Sequence, residues 1–157
     1  MQVDAEERTT VAFSQFVTEV EPRLRRALVA LRGAEAGRDA TAEALAWAWE
    51  HWSEVEAMAN PAGYLYRVGQ SRSRWKPERL APVAVAPTDG FGFEPGLAPA
   101  LARLSDRQRT AVVLVHGCGW SLQEVADALE LSKSSVATHV ERAMAQLRHE
   151  LGADRDG

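Results

Sequence analysis

A single cysteine, only two lysines and no apolar run long enough to cross a membrane mark this 157-residue chain by what it lacks. With Cys118 alone, an intramolecular disulfide and a cysteine zinc cluster are both excluded. His51, His116, His139 and His149 have no metal-ligand spacing, so no cofactor or metal is expected. No glycine-rich phosphate loop follows a strand, no Gly-x-Ser-x-Gly occurs, and no nucleophile stands beside a base, so an enzyme is not expected. The first residues are acidic and lack the apolar stretch of a secretion signal, and no run of about 18 apolar residues exists. A cytoplasmic protein without membrane insertion is the expectation. The net charge of −4 argues against a chain that coats nucleic acid unaided, and suits one carried to DNA by a larger complex.

What is present is helical. The length allows small helical domains and no large enzyme core. The fold class read from the pattern is all-α, with domains at 1–75 and 98–157 joined by a linker at 76–97. That linker holds Pro77, Pro82, Pro87 and Pro95 with Gly90, Gly92 and Gly96, a density that no helix survives. Phe91 and Phe93 within it read as a mobile apolar pair. Two domains on a tether can grip DNA elements set apart from each other, each raising the effective concentration of the other.

Residues 99–151 read as three helices. Ser105 with Gln108, and Ser121 with Glu124, are capping boxes, in which a hydroxyl and a side chain three residues on satisfy each other's free amides. The run Ala111 to Val115 lies between them, closed by Gly117 and Gly119, with Cys118 as a small half-buried residue. Leu122, Val125, Ala126 and Leu129 share one face of the middle helix. Leu131-Ser132 turns the chain, and Ser132 caps the last helix. There Val136, Val140, Ala143, Leu147 and Leu151 form the buried stripe, leaving Lys133, Ser134, Ala137, Thr138, Glu141 and Arg142 outside it. Plain core packing accounts for such stripes. A tight turn between two capped helices, with a polar leading end on the second, is also how a helix is set into the major groove of DNA.

The front half predicts a helix over Phe13–Leu31, kinked or restarted at Pro22. A second, over Arg38–Val55, puts Leu45, Trp49, Trp52 and Val55 toward the core and leaves Trp47 off that stripe as a partner contact. Asn60-Pro61 starts a third, a capping side chain followed by proline at the first helical position. Tyr64, Tyr66, Arg67, Arg72 and Arg74 on this helix and its end combine stacking rings with cations, which suits single-stranded DNA; a solvated charged face is the bland alternative.

The stretch Leu104-Ser105-Asp106-Arg107-Gln108-Arg109, then Ser121-Leu122-Gln123-Glu124-Val125-Ala126, Ser135-Val136, Arg142-Ala143 and Leu147-Arg148, resembles region four of bacterial sigma factors of the extracytoplasmic-function (ECF) group. The resemblance implies that the last helix reads the −35 promoter element through Lys133, Ser134, Ser135, Thr138, His139 and Arg142. Where the family commonly has a lysine and an arginine, this chain has Ala137 and His139, and Glu141 replaces a basic or neutral residue. Duplex affinity of this domain alone is therefore expected to be weak.

Asp39-Ala40-Thr41-Ala42-Glu43, Ala48-Trp49 and Tyr64-Leu65-Tyr66-Arg67-Val68-Gly69-Gln70-Ser71 resemble region two of the same family. That resemblance implies docking on the β′ clamp helices of core RNA polymerase, assigned here to Asp39, Glu43 and Trp47, and capture of the melted −10 strand by Tyr64, Tyr66, Arg67, Arg72 and Arg74. An anti-sigma protein is a further partner the resemblance implies. Against the family, Ala40, Thr41 and Ala42 replace Leu-Val-Gln, and Gln70-Ser71 replaces Arg-Asn. These departures support a second reading, a sigma-like DNA-binding regulator that no longer docks on the polymerase.

Overall fold

The computed structural model describes residues 2–72 and 96–156, with side chains described through Gly152, and all regular structure among them is helical. The front half holds α1 (Gln2–Arg32), α2 (Ala34–Glu50), α3 (Trp52–Glu56) and α4 (Pro61–Arg72). The rear half holds α5 (Leu97–Arg103), α6 (Asp106–Val112), α7 (Leu122–Leu129) and α8 (Lys133–Asp156). Arg74, Phe91 and Phe93 lie outside the described residues.

α1 begins well before Phe13 and runs through Pro22 as one helix. The missing amide and ring clash of an interior proline cost about 3 kcal/mol. Burial of Val20, Leu24, Ala27 and Leu28 on one stripe offsets it, at roughly 1.5–3 kcal/mol for each large aliphatic side chain. Gly33 ends the helix at φ 91°, a conformation that an L side chain resists. Its amide donates to the Val29 carbonyl at 2.9 Å, and α2 starts at once.

α2 crosses close over α1. A Cβ on Gly37 would lie 2.5 Å from the Val29 backbone, so only glycine allows the approach. Gly37, Ala40, Thr41, Ala44, Trp47 and Ala48 form the buried stripe of α2, at i, i+3, i+4 and i+7 spacing. This corrects the sequence reading of the tryptophans. Trp47 is buried, stacked on His51 at 4.2 Å and tilted against Tyr64 at 5.3 Å, whereas Trp49 is 49% exposed. Two residues apart on a helix, the two indoles point to opposite sides. His51 also breaks the predicted Arg38–Val55 helix in two. Phe13 and Phe16 meet Trp49 and Trp52 edge-on at 4.9–5.3 Å and close that end of the bundle.

Four predicted caps form as expected. Ser105 and Ser121 make complete capping boxes, and Ser132 Oγ accepts the Ser135 amide at 3.1 Å. Asn60 Oδ1 accepts the Gly63 amide at 3.3 Å, which fixes the start of α4. The run after α6 winds more widely, as a π-type turn over Val113–Gly117, with the Cys118 amide bonded to Val113. Cys118 is half-buried, as read. The short helix α5, unforeseen, packs on α8 through Leu97, Ala100 and Leu101 in a cluster with Leu104, Val113 and Leu147.

The larger core spans both halves. Leu24, Leu28, Leu65 and Tyr66 share one cluster with Leu114, Trp120, Val125 and Val136. Its seam is the contact of α4 with α7.

Candidate nucleic-acid interface

α7 and α8 are joined by a turn of three residues, which fixes their mutual angle. Glu130 sits at φ 55°, a left-handed C-cap that reverses the chain, and the Leu131 amide closes on Ala126 at 3.0 Å. Ser132 then caps α8. Val136, Val140, Ala143 and Leu147 are buried, so the rotational setting of α8 is locked by its core face.

On the opposite face Lys133, Ser134, Thr138 and Arg142 are exposed. Lys133 and Arg142 make no ion pair among the described residues, so both cations are available. The Thr138 hydroxyl donates to the Ser134 carbonyl at 3.1 Å and keeps its acceptor side outward. The other two predicted positions are less accessible. Ser135 is half-buried, with its hydroxyl and amide tied to Ser132. His139 is half-buried too, and its Nδ1 is buried with no partner among the described residues. A ring held this way presents one nitrogen outward at most.

The predicted strand-binding residues of α4 are placed differently. Tyr66 is fully buried, edge-on to Trp120 at 5.8 Å, with its hydroxyl oxygen accepting from Gln70 at 2.6 Å. Burial pushes the Tyr66 phenol far above its ordinary range, against the opposing pull of Arg32 and the Gln70 bond. That corrects the expectation of an exposed stacking ring. Tyr64 is half-buried, with the Arg67 guanidinium 4.9 Å from its ring centroid. Arg67 donates to Glu130 at 2.6 Å, while Arg72 is exposed.

Three side chains, two on α7 and one at its C-cap, hold the front half. Glu124 accepts from Arg23 at 2.8 Å, Asp127 from Asn60 at 3.0 Å, and Glu130 from Arg67. Burial raises the Glu124 carboxyl, but bonds from Ser121 and Arg23 outweigh it and hold the group below its ordinary value. None of these pairings was visible in the sequence. Glu124 and Asn60 read only as caps, and Trp120 as nothing in particular. Residues 101 positions apart in Arg23–Glu124 leave no local signal.

On α2, Asp39 and Glu43 are exposed, as a docking face requires. Of the three residues that depart from the family between them, Ala40 and Thr41 face the core and only Ala42 is outward. Among the described residues no cluster of His, Cys, Asp and Glu fit to hold a metal occurs, and no helix is long and apolar enough to cross a membrane.

Comparison with known proteins agrees with this architecture. Residues 100–149 match the model of sigma-70 region 4, which covers α6, α7 and most of α8. An RNA polymerase sigma-E factor of Streptomyces coelicolor is 31% identical over 129 residues, spanning 74% of this chain and 72% of the relative. The chain belongs to the sigma-70 family, as a sigma factor of the ECF type. Its fold is shared with the sigma factor RpoE solved with the anti-sigma factor NepR from Bartonella quintana, at TM-score 0.67 and 20% identity over 91% of this chain and 98% of that one. CnrH, solved with the cytosolic domain of CnrY, is similar at TM-score 0.65 and 25% identity over 92% and 90%. Sigma factors bind core RNA polymerase and promoter DNA and start transcription; the chemistry of RNA synthesis belongs to the polymerase, so this sigma factor is not an enzyme.

Proposed function

We propose that this sigma factor directs the polymerase to promoters by reading the −35 duplex with α8 and holding the −10 strand with α4. The observation that carries the first half is the exposed set Lys133, Ser134, Thr138 and Arg142 on a helix whose rotation is fixed by its buried stripe. Cations at both ends of that set neutralise phosphates, and the hydroxyls between them reach base edges. Ala137, Glu141 and the half-buried His139 lower the affinity of this helix alone, so placement by the polymerase supplies what the duplex contact lacks.

Docking falls to the exposed carboxylates Asp39 and Glu43 on α2. Because Ala40 and Thr41 are core residues, their departure from the family alters packing more than the docking face, which weighs against the regulator that has lost the polymerase. Trp47, being buried, acts behind that face by fixing α2 against Tyr64. Residues 1–75 and 98–157 would act as the two DNA-engaging units, with 76–97 as the tether. An anti-sigma protein as holding partner, and a cytoplasmic location, follow from the same reading. Both similar structures are complexes with such a partner or its cytosolic part.

Co-elution of the purified protein with core RNA polymerase on a sizing column tests this. A stable complex that retains a promoter fragment is the expected result. A folded protein that stays apart from the polymerase overturns it.

A further inference from the structure

The exposed face of α8 carries one group that only weakens general contact with a duplex. Glu141 is exposed, and it makes no hydrogen bond or ion pair among the described residues. Its neighbours one turn away on α8 are Ala137, Thr138, Met144 and Ala145, so no cation of its own helix is placed to neutralise it. A lone surface carboxylate is usually just a solvated charge. The place of Glu141 on the helix tells against that here.

Lys133 and Arg142 are nine positions apart, so at about 100° per residue they point to opposite sides of α8. Along the axis they stand about 13–14 Å apart, the rise of an α-helix over that span, against a major groove about 12 Å wide. Each cation can therefore meet the phosphates of one groove wall. Ser134, Thr138 and Glu141 lie between those two directions, on the ridge opposite the buried Val136, Val140, Ala143 and Leu147. With α8 seated, this ridge faces the floor of the groove, and Glu141 faces base edges with it.

A carboxylate carried between two phosphate walls is repelled, and it loses its water there. Only a donor on the groove floor offsets that cost, because an ionised carboxylate accepts hydrogen bonds and donates none. The floor offers two, the N4 amino group of cytosine and the N6 amino group of adenine. Adenine carries the acceptor N7 beside its amino group, which opposes a carboxylate, whereas cytosine carries only a C–H there.

We propose that Glu141 selects cytosine in the −35 duplex: its carboxylate accepts from the cytosine amino group, and another base at that position is rejected by the uncompensated charge. This rests on the reading of α8 as the duplex-reading helix. The residue that weakens general grip on DNA is then the one that sharpens discrimination.

The test mixes the full chain with core polymerase and selects from a pool of random DNA duplexes, using the parent, Glu141→Gln and Glu141→Ala. The parent should enrich sequences with one position held as cytosine. Glu141→Ala should lose the preference at that position alone. Glu141→Gln should shift it to adenine, whose N6 and N7 suit the acceptor and donor of an amide. On the parent's preferred duplex, replacing that cytosine by 2-pyrimidinone, which lacks the amino group, should weaken parental binding about tenfold and leave Glu141→Ala unaffected. If Glu141→Ala instead gains equally on preferred and unrelated duplexes, Glu141 merely repels phosphate and the proposal is overturned. A selection unchanged at every position overturns it too. Both of those outcomes leave duplex reading by α8 intact; a parent that enriches no sequence sinks that reading and the proposal together.

Discussion

The exposed face of α8 and the inner face of α4 carry similar chemistry in opposite states. On α8, Lys133 and Arg142 stand in solvent without ion partners among the described residues. On α4, Arg67 is paired with Glu130 and Tyr66 is fully buried against Trp120. One surface is open to solvent, and the other is occupied by the same rear half that carries the open one. The difference follows from what locks each helix. α8 is fixed by an apolar stripe opposite its polar face, so packing and exposure coexist. α4 is fixed by apolar groups of one face and by polar groups of another, so both of its useful sides face protein.

Breaking the polymerase contact should give the largest functional effect. Replacing Asp39 and Glu43 by lysine should abolish co-elution with core polymerase while far-ultraviolet dichroism stays unchanged, because both are exposed on α2. Loss of helicity would make them structural instead. Next comes the seam itself. Trp120 is 2% exposed, and Trp120→Ala should cost about 3–5 kcal/mol in denaturant unfolding. Arg142→Ala, in contrast, should leave stability within about 0.5 kcal/mol. Arg142→Ala should instead weaken duplex binding and lower the salt slope by roughly one counterion. An unchanged slope would place Arg142 away from the phosphates.

How much of this was legible in the sequence differs between the same two surfaces. Ser105, Ser121 and Ser132 announced their helices through side chains that bond within three residues, and the stripe Val136 to Leu147 announced the buried face of α8. Both signals are local, and both held. α2 is alanine-rich, and its small side chains give so little contrast between faces that the periodicity points Trp49 inward and Trp47 outward, the reverse of the fold. Tyr66 was misplaced for a different reason. Its cover is Trp120, far along the chain, and long-range packing leaves no periodic trace. Trp49 matched the family pattern without revealing its exposure, since a motif records identity and not surroundings.

Acid should sharpen the contrast between the two surfaces. The Glu124 carboxyl is held below its ordinary value of 4.5, so the stability it supplies is present above that value. It is lost as the pH falls from there through the lowered value. The α4–α7 seam should therefore loosen in that window, read as faster hydrogen exchange of α7 amides, while on α8 the only carboxyl held low among the described residues, Glu150, is tied to Arg103 of α5 away from the buried stripe. Equal acid sensitivity in both would show that Glu124 does not single out the seam.

The smallest expected effect concerns Glu130, where two small terms of opposite sign meet. At φ 55° a non-glycine residue strains the backbone by roughly 1–2 kcal/mol, which glycine would relieve. Glycine also loosens the unfolded chain, which takes back part of that gain. The pair with Arg67 is largely exposed on the Glu130 side, at 73%, and such pairs contribute about 0–1 kcal/mol. Glu130→Gly should therefore raise the melting temperature slightly, by about a degree or two, even as it removes one seam contact. A fall of several degrees would mean that the Arg67–Glu130 pair outweighs the backbone strain. The α4–α7 seam would then rest on charge more than on the Tyr66–Trp120 contact.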